Sequence, residues 1–179
     1  MIFSKLNKEK KLLIKEANEL YSIIVQQARK KEFYSKLGVP DTVDGRFENI
    51  ILHLYFINKR LLNGSEKDKK IMLNIIDLMF KDFDYNLREL GVGDLSVGKK
   101  IYHMTGAYRG RFKAYDKAIE IGRKELLETL KRNLYGTVQV NIKNLNIMTD
   151  YFLETLKNIK NLDYNKIKKT KECFFEINI

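Results

Sequence analysis

The stretch Asp44-Gly45-Arg46-Phe47-Glu48-Asn49-Ile50-Ile51-Leu52-His53-Leu54-Tyr55-Phe56-Ile57-Asn58-Lys59-Arg60-Leu61-Leu62 decides the fold. Read as a helix over about 44–62, it places Phe47, Ile50, Ile51, Leu54, Leu61 and Leu62 on one side and Leu52 and Phe56 on the other. A helix that is apolar all round has to be covered on every side. This segment is therefore the central helix, and the rest of the chain must supply helices that wrap it. Its longest apolar run, Ile50 to Ile57, is only eight residues and contains His53. A bilayer crossing needs about 20 residues, so the run is a core segment and the protein is soluble or at most peripheral to a membrane.

Working outward, the flanking segments carry helical periodicity. Toward the N-terminus, Pro40 removes an amide donor, and Asp41, Thr42 or Asp44 can cap the central helix. Before that break, Leu13, Ala17, Leu20, Ile24 and Ala28 recur at three- and four-residue spacing, which predicts a first helix near 7–32. Toward the C-terminus, Asn63-Gly64-Ser65 ends the central helix, and Ser65 with Asp68 has capping-box spacing. Met72, Ile75, Ile76, Met79, Phe83, Leu87 and Leu90 then form one stripe, opposite Lys70, Asn74, Asp77, Lys81, Asp84 and Arg88, until Gly91 stops the helix.

A fourth helix follows Gly91-Val92-Gly93-Asp94-Leu95-Ser96, with Ile101, Met104, Thr105, Tyr108, Phe112, Tyr115 and Ile119 on its inner face. Leu126, Leu127, Leu130 and Leu134 mark a helix over about 123–134. Ile142, Leu145, Phe152, Leu156 and Ile159 mark a last one near 142–160. Two segments alternate with period two instead, near 137–142 and over Phe175–Ile179, and each fits a short strand. The expectation is an all-α, single compact domain spanning 1–179, of about six helices, with a short strand as the local alternative.

Composition narrows the class. The 179 residues suit one domain, and a single cysteine, Cys173, rules out an internal disulfide framework. Net charge is +11, concentrated as +4 over residues 1–32 and +6 over 96–135, with −1 over 33–95. Such asymmetry fits a polyanionic partner. The 26 Lys, 19 Ile and 15 Asn equally fit the coding bias of an A+T-rich genome. The N-terminal segment, with Glu9, Glu16 and Glu19, has neither the apolar core of a secretory signal nor the acid-poor character of an organelle presequence.

No catalytic constellation stands out. Gly93-Asp94-Leu95-Ser96-Val97-Gly98-Lys99-Lys100 has the GxxxxGK spacing of a phosphate-binding loop, but Lys100 stands where a Mg²⁺-binding hydroxyl belongs. It also follows an amphipathic helix rather than a buried strand, so a helix–helix connection explains it better. Asp77 with Asp84, and Asp82 with Glu89, share helix faces seven residues apart. That spacing is about 10.5 Å of rise, too far for one metal ion; i,i+4 pairing of Asp77 with Lys81 and of Asp84 with Arg88 fits better.

His53 and His103 read as core or core-edge histidines, Cys173 has no histidine near it in sequence, and only two histidines occur. No metal or cofactor is implied. Gly106 and Gly110 inside the fourth helix cost about 1 kcal/mol each relative to alanine, which calls for the close approach of a neighbouring helix or a bound peptide. Beside them Arg109, Arg111, Lys113 and Lys117 line an edge with Tyr108 and Tyr115, suited to RNA or to an acidic protein segment.

Three stretches together resemble a known family: Phe33-Tyr34-Ser35-Lys36-Leu37-Gly38-Val39-Pro40-Asp41-Thr42-Val43-Asp44-Gly45-Arg46-Phe47; Asp82-Phe83-Asp84-Tyr85-Asn86-Leu87-Arg88-Glu89-Leu90-Gly91-Val92-Gly93-Asp94-Leu95-Ser96-Val97-Gly98-Lys99; and Asn133-Leu134-Tyr135-Gly136. They look like the ubiquinol–cytochrome c chaperones, assembly factors of respiratory complex III, over about residues 15–136. The resemblance implies a helical, non-enzymatic protein without a cofactor that helps newly made cytochrome b mature. In mitochondria such proteins work with a small partner near the ribosomal tunnel exit. A chain without a presequence implies a bacterial member in the cytoplasm, peripheral at the cytoplasmic face of the inner membrane.

The partners so implied are cytochrome b or complex III assembly intermediates, with ribosome and membrane-surface contacts also open and no DNA. The expected client surface combines an acidic half, Asp82, Asp84, Glu89 and Asp94 with Arg88, and a basic half, Lys99, Lys100, Arg109 and Arg111 with Tyr115. Asp44 and Arg46 fit client contact or helix capping and an internal ion pair equally well. The rival reading is a basic helical RNA- or ribosome-binding protein.

Overall fold

The computed structural model describes residues 2–160, 162, 167 and 173–177, with side chains from residue 7 onward. The described helices are α1 (Ile2–Ala28), α2 (Lys31–Ser35), α3 (Val43–Leu61), α4 (Glu66–Glu89), α5 (Asp94–Ile121), α6 (Arg123–Leu134) and α7 (Ile142–Lys160). Six are long and α2 is a single five-residue turn. The architecture is all-α, as the periodicities require.

α3 is the central element. It is buried without a break from Phe47 to Asn58, and α1, α4, α5, α6 and α7 all pack against it. Its start is fixed by Thr42, whose Oγ1 accepts from the Gly45 amide at 3.1 Å. Thr42 is thus the cap among the three candidates. Gly45 is required by packing: a Cβ there would lie 2.0 Å from the Pro40 carbonyl oxygen. α4 opens with the expected capping box, the Ser65 amide donating to Asp68 at 2.8 Å and the Asp68 amide to Ser65 at 3.3 Å.

The core is unusually aromatic along α3, α5 and α7. Phe56 meets Phe152 at 4.9 Å between ring centroids, and Tyr55 meets Tyr115 at 5.3 Å, in edge-on geometries. His53 lies inside this core. Its Nδ1 is 2.7 Å from the Asn49 carbonyl, which can only accept, so Nδ1 carries the proton and Nε2 accepts from the Tyr151 hydroxyl at 2.8 Å. Tyr151 in turn accepts from Gln27 Nε2 at 3.1 Å. Burial holds His53 neutral, its pKa lowered to about 3. Phe174 closes over the ring at 5.3 Å, and the Phe175 amide donates to Thr155 at 3.2 Å.

No strand forms near 137–142: residues 135–141 are turn and extended loop that lead straight into α7. Phe175–Ile177 is not a strand either, and residues 178–179 lie outside the described residues. The first helix ends at Ala28 rather than near 32, and residues 31–35 form a separate turn. α5 begins at Asp94, so Ser96 is helical and not part of the connection. Leu90 and Ile142, assigned to inner faces, are 65% and 66% exposed.

Candidate functional site

The GxxxxGK stretch resolves into a sharp α4–α5 elbow. Gly91 has φ +79°, its amide donates to the Arg88 carbonyl, and the Val92 amide donates to that of Leu87. This left-handed cap favours glycine at Gly91. Gly93 then caps α5, and Asp94 through Lys100 are already helical. Asp94, in the first turn, complements the positive end of the helix. No strand precedes the glycines, so the stretch is not a phosphate-binding loop.

Arg88 ties the two helices together. Its Nε donates to Asp84 Oδ1 at 2.7 Å, and its Nη1 donates to Asp94 on the far side of the turn. The guanidinium holds the Asp84 carboxyl below the usual carboxylate range. Of the two expected i,i+4 pairs, only Asp84–Arg88 forms among the described residues. Neither carboxylate pair converges as an acid–base site. Asp84 faces Arg88, while Asp82 accepts from the Tyr21 hydroxyl at 2.8 Å and from Asn86 at 3.0 Å.

Tyr85, Leu90 and Leu95, close in sequence to the clamp residues, are 63%, 65% and 96% exposed, an apolar rim on the elbow; Tyr102, 77% exposed with its ring edge-on to His103, stands two turns further along α5. From Gly98 to Ala114 no α5 residue is fully buried. Gly106 and Gly110 sit in that length, and a Cβ at either would meet nothing within 4 Å. Close approach of a neighbouring helix, one of the two readings the sequence offers, therefore does not explain these glycines. They leave bare helix backbone on the outer surface beside exposed Lys99, Lys100, Arg109, Lys113 and Lys117.

The expected partner residues divide into two groups. Asp44, Arg46, Arg88, Glu89, Asp94, Lys99, Lys100 and Arg109 are exposed and Asp84 is half-buried at the clamp. Asp82, Arg111 and Tyr115 turn inward. Asp82 ties α4 to α1 through Tyr21. Arg111 grips Glu48 of α3, with Nη2 to Oε1 at 2.7 Å and Nε to Oε2 at 2.9 Å. Tyr115 is fully buried against Tyr55, and burial raises its pKa. Tyr115 is therefore a core residue and contacts no partner in this fold. Arg46 pairs with Asp41 at 2.6 Å, and Asp44 takes no part in the cap.

The exposure of Tyr85, Leu95 and Tyr102 has no periodic signal in the sequence. Leu90 was misassigned because it continues the α4 stripe, which outruns the helices covering it.

A sequence profile described as Ubiquinol-cytochrome C chaperone matches residues 35–174. The chain belongs to that family. The Ubiquinol-cytochrome-c reductase complex assembly factor 1 of Xenopus laevis is 22% identical over 156 residues, covering 87% of this chain and 78% of that protein. The human protein of the same description is 20% identical over 156 residues. This chain spans about half the length of the mouse and human relatives, 53% and 52%. The crystal structure of the Cbp3 homolog from Brucella abortus has the same fold, with a TM-score of 0.82 and 26% identity, covering 99% of this chain and 98% of that one. Among the described residues, no helix is long and apolar enough to cross a membrane.

Proposed function

We propose that this protein is a non-enzymatic assembly chaperone for ubiquinol–cytochrome c reductase that holds newly made cytochrome b on the α4–α5 elbow, at the cytoplasmic face of a bacterial inner membrane. The observation that carries this reading is the exposure of Tyr85, Leu90 and Leu95 next to the residues of the Asp84–Arg88–Asp94 clamp, with Tyr102 exposed further along α5. A nascent membrane subunit presents apolar helices with basic cytoplasmic ends. Covering one fully exposed leucine is worth about 1.5–3 kcal/mol, so the rim supplies affinity. Glu89 and the acids of the clamp select basic client loops, and like charges repel the wrong partner. The bare backbone at Gly106 and Gly110 lets a client helix lie close against α5. Lys99, Lys100 and Arg109 face the acidic side of the complex or the membrane surface.

The test is genetic and spectroscopic. A strain lacking the gene should lose cytochrome b absorbance and quinol–cytochrome c activity from its membranes, and the gene in trans should restore both. Normal cytochrome b in the deletion strain refutes the assignment.

The exposed cations of α5 also fit binding of ribosomal RNA. Such binding should fall steeply with salt, by about one log unit per log unit of salt for each phosphate contact. Apolar client capture is insensitive to salt by comparison.

A further inference from the structure

A second concave surface lies apart from the elbow and shares no residue with it. Where α1 ends, α2 turns and α3 begins, an open depression of about 570 Å³ is lined by Arg29, Lys31, Tyr34, Ser35, Asp41 and Arg46. It exists because the loop after α2 folds onto α3, where Gly45 admits Pro40. The lining holds three cations and one anion, and its donors are largely unused. Arg46 commits Nε to Asp41, while its two terminal nitrogens make no hydrogen bond among the described residues. Arg29 and Lys31 make no side-chain hydrogen bond or ion pair among those residues.

The floor, by contrast, is satisfied. The Tyr34 hydroxyl donates to the Ala28 carbonyl at 2.8 Å, and Ser35 donates to that of Lys31 at 3.0 Å. Arg29 and Arg46 line this same depression with Lys31, from the end of α1, the start of α3 and the turn between them.

We propose that this depression is a binding pocket for a phosphate-bearing anion of headgroup size, held by the guanidiniums of Arg29 and Arg46 and the ammonium of Lys31. Guanidinium forks match tetrahedral oxyanions geometrically, and charge-assisted contacts are about twice as strong as neutral ones. Asp41 presents Arg46 by anchoring its Nε. The volume is several times that of a bare phosphate, so the pocket accommodates the phosphate together with its polar substituent. A glycerophosphate headgroup of an anionic lipid and a soluble phosphate ester share this chemistry.

The experiment uses the full chain at about 0.15 M salt, where diffuse surface attraction is screened beyond roughly 8 Å. Amide chemical shifts are followed during titration with glycerol 3-phosphate, for the wild type, for R29Q/K31Q, and for a control with equal charge loss, K124Q/K143Q. Shifts should centre on residues 29–46. R29Q/K31Q should weaken binding about tenfold or more, and the control should not. Flotation with phosphatidylglycerol-containing vesicles identifies the source. Vesicle binding lost in R29Q/K31Q and competed by glycerol 3-phosphate assigns a lipid headgroup, whereas glycerol 3-phosphate binding without vesicle binding assigns a soluble ester. Shifts spread over all lysine-rich surfaces, equal losses in the two variants, or no shift at all would each overturn the pocket.

Discussion

Arg111 of α5 clasps Glu48 of α3 through two nitrogens, its Nε 2.9 Å from Oε2 and its Nη2 2.7 Å from Oε1. Glu48 is 8% exposed, and burial pushes its carboxyl above the usual range against the pull of Arg111. The pair fastens the half-exposed α5 to the central helix and so positions the elbow.

Arg111→Met should therefore destabilise the fold by about 2 kcal/mol at neutral pH, less than the cost of breaking a fully buried pair because the Arg111 side chain is 30% exposed. Without its partner the Glu48 pKa rises further. The loss should shrink as the pH falls and Glu48 takes up a proton, and grow as the pH rises through its titration. Urea unfolding of wild type and variant between pH 4 and pH 8 measures this. A loss that is the same at all pH values contradicts it.

His53 gives the opposite sign. Its folded pKa of about 3 lies below its ordinary value, so the unfolded chain binds the extra proton. Stability from this group is complete above the ordinary histidine pKa and is lost as the pH falls toward 3. The slope is at most about 1.4 kcal/mol per pH unit. His53→Gln should be less stable at pH 7 but should lack that component of the acid slope.

The glycines should separate cleanly. Gly45→Ala has no room for its Cβ, 2.0 Å from the Pro40 oxygen, and should cost about 2 kcal/mol or more through forced backbone displacement. Gly106→Ala and Gly110→Ala meet nothing, and each should raise stability by about 0.5–1 kcal/mol. Thermal unfolding of the three variants distinguishes the packed glycine from the two open ones. Destabilisation by Gly106→Ala would contradict the open placement.

The helices were legible because burial writes itself as period. Leu13, Ala17, Leu20, Ile24 and Ala28 are all buried, and the Ser65–Asp68 box forms as its spacing requires. The site was legible only in part. Asp84, Arg88 and Asp94 meet as one clamp, but Arg111 and Tyr115 sit on the inner side of α5. That helix is fully buried only at Val97 and at Tyr115 and Ala118, so its stripe alone could not show which charged neighbours face solvent. Leu95 has no periodic signal at all. It lies in the first turn of α5, directly after the Gly91–Gly93 connection, where the fold leaves it 96% exposed.

Charge reversal at the clamp should act on capture rather than on folding. Asp84→Lys with Glu89→Lys touches no core residue: Glu89 is exposed, and half-buried Asp84 loses only its solvent-screened pairing with Arg88, which carries little stability. The variant should keep its thermal transition and helicity yet retain less cytochrome b in pull-downs from membranes making complex III. Unchanged capture would remove the acidic half from the client surface.

The gripping surface itself is tested most directly by placing a photo-cross-linking residue at Leu95, with exposed Ile142 as a control, during synthesis of cytochrome b. Both positions are exposed, at 96% and 66%. Holding of the client on the elbow predicts a cross-link to newly made cytochrome b from position 95 and none from position 142. No cross-link at 95, or equal cross-linking from both, would contradict it.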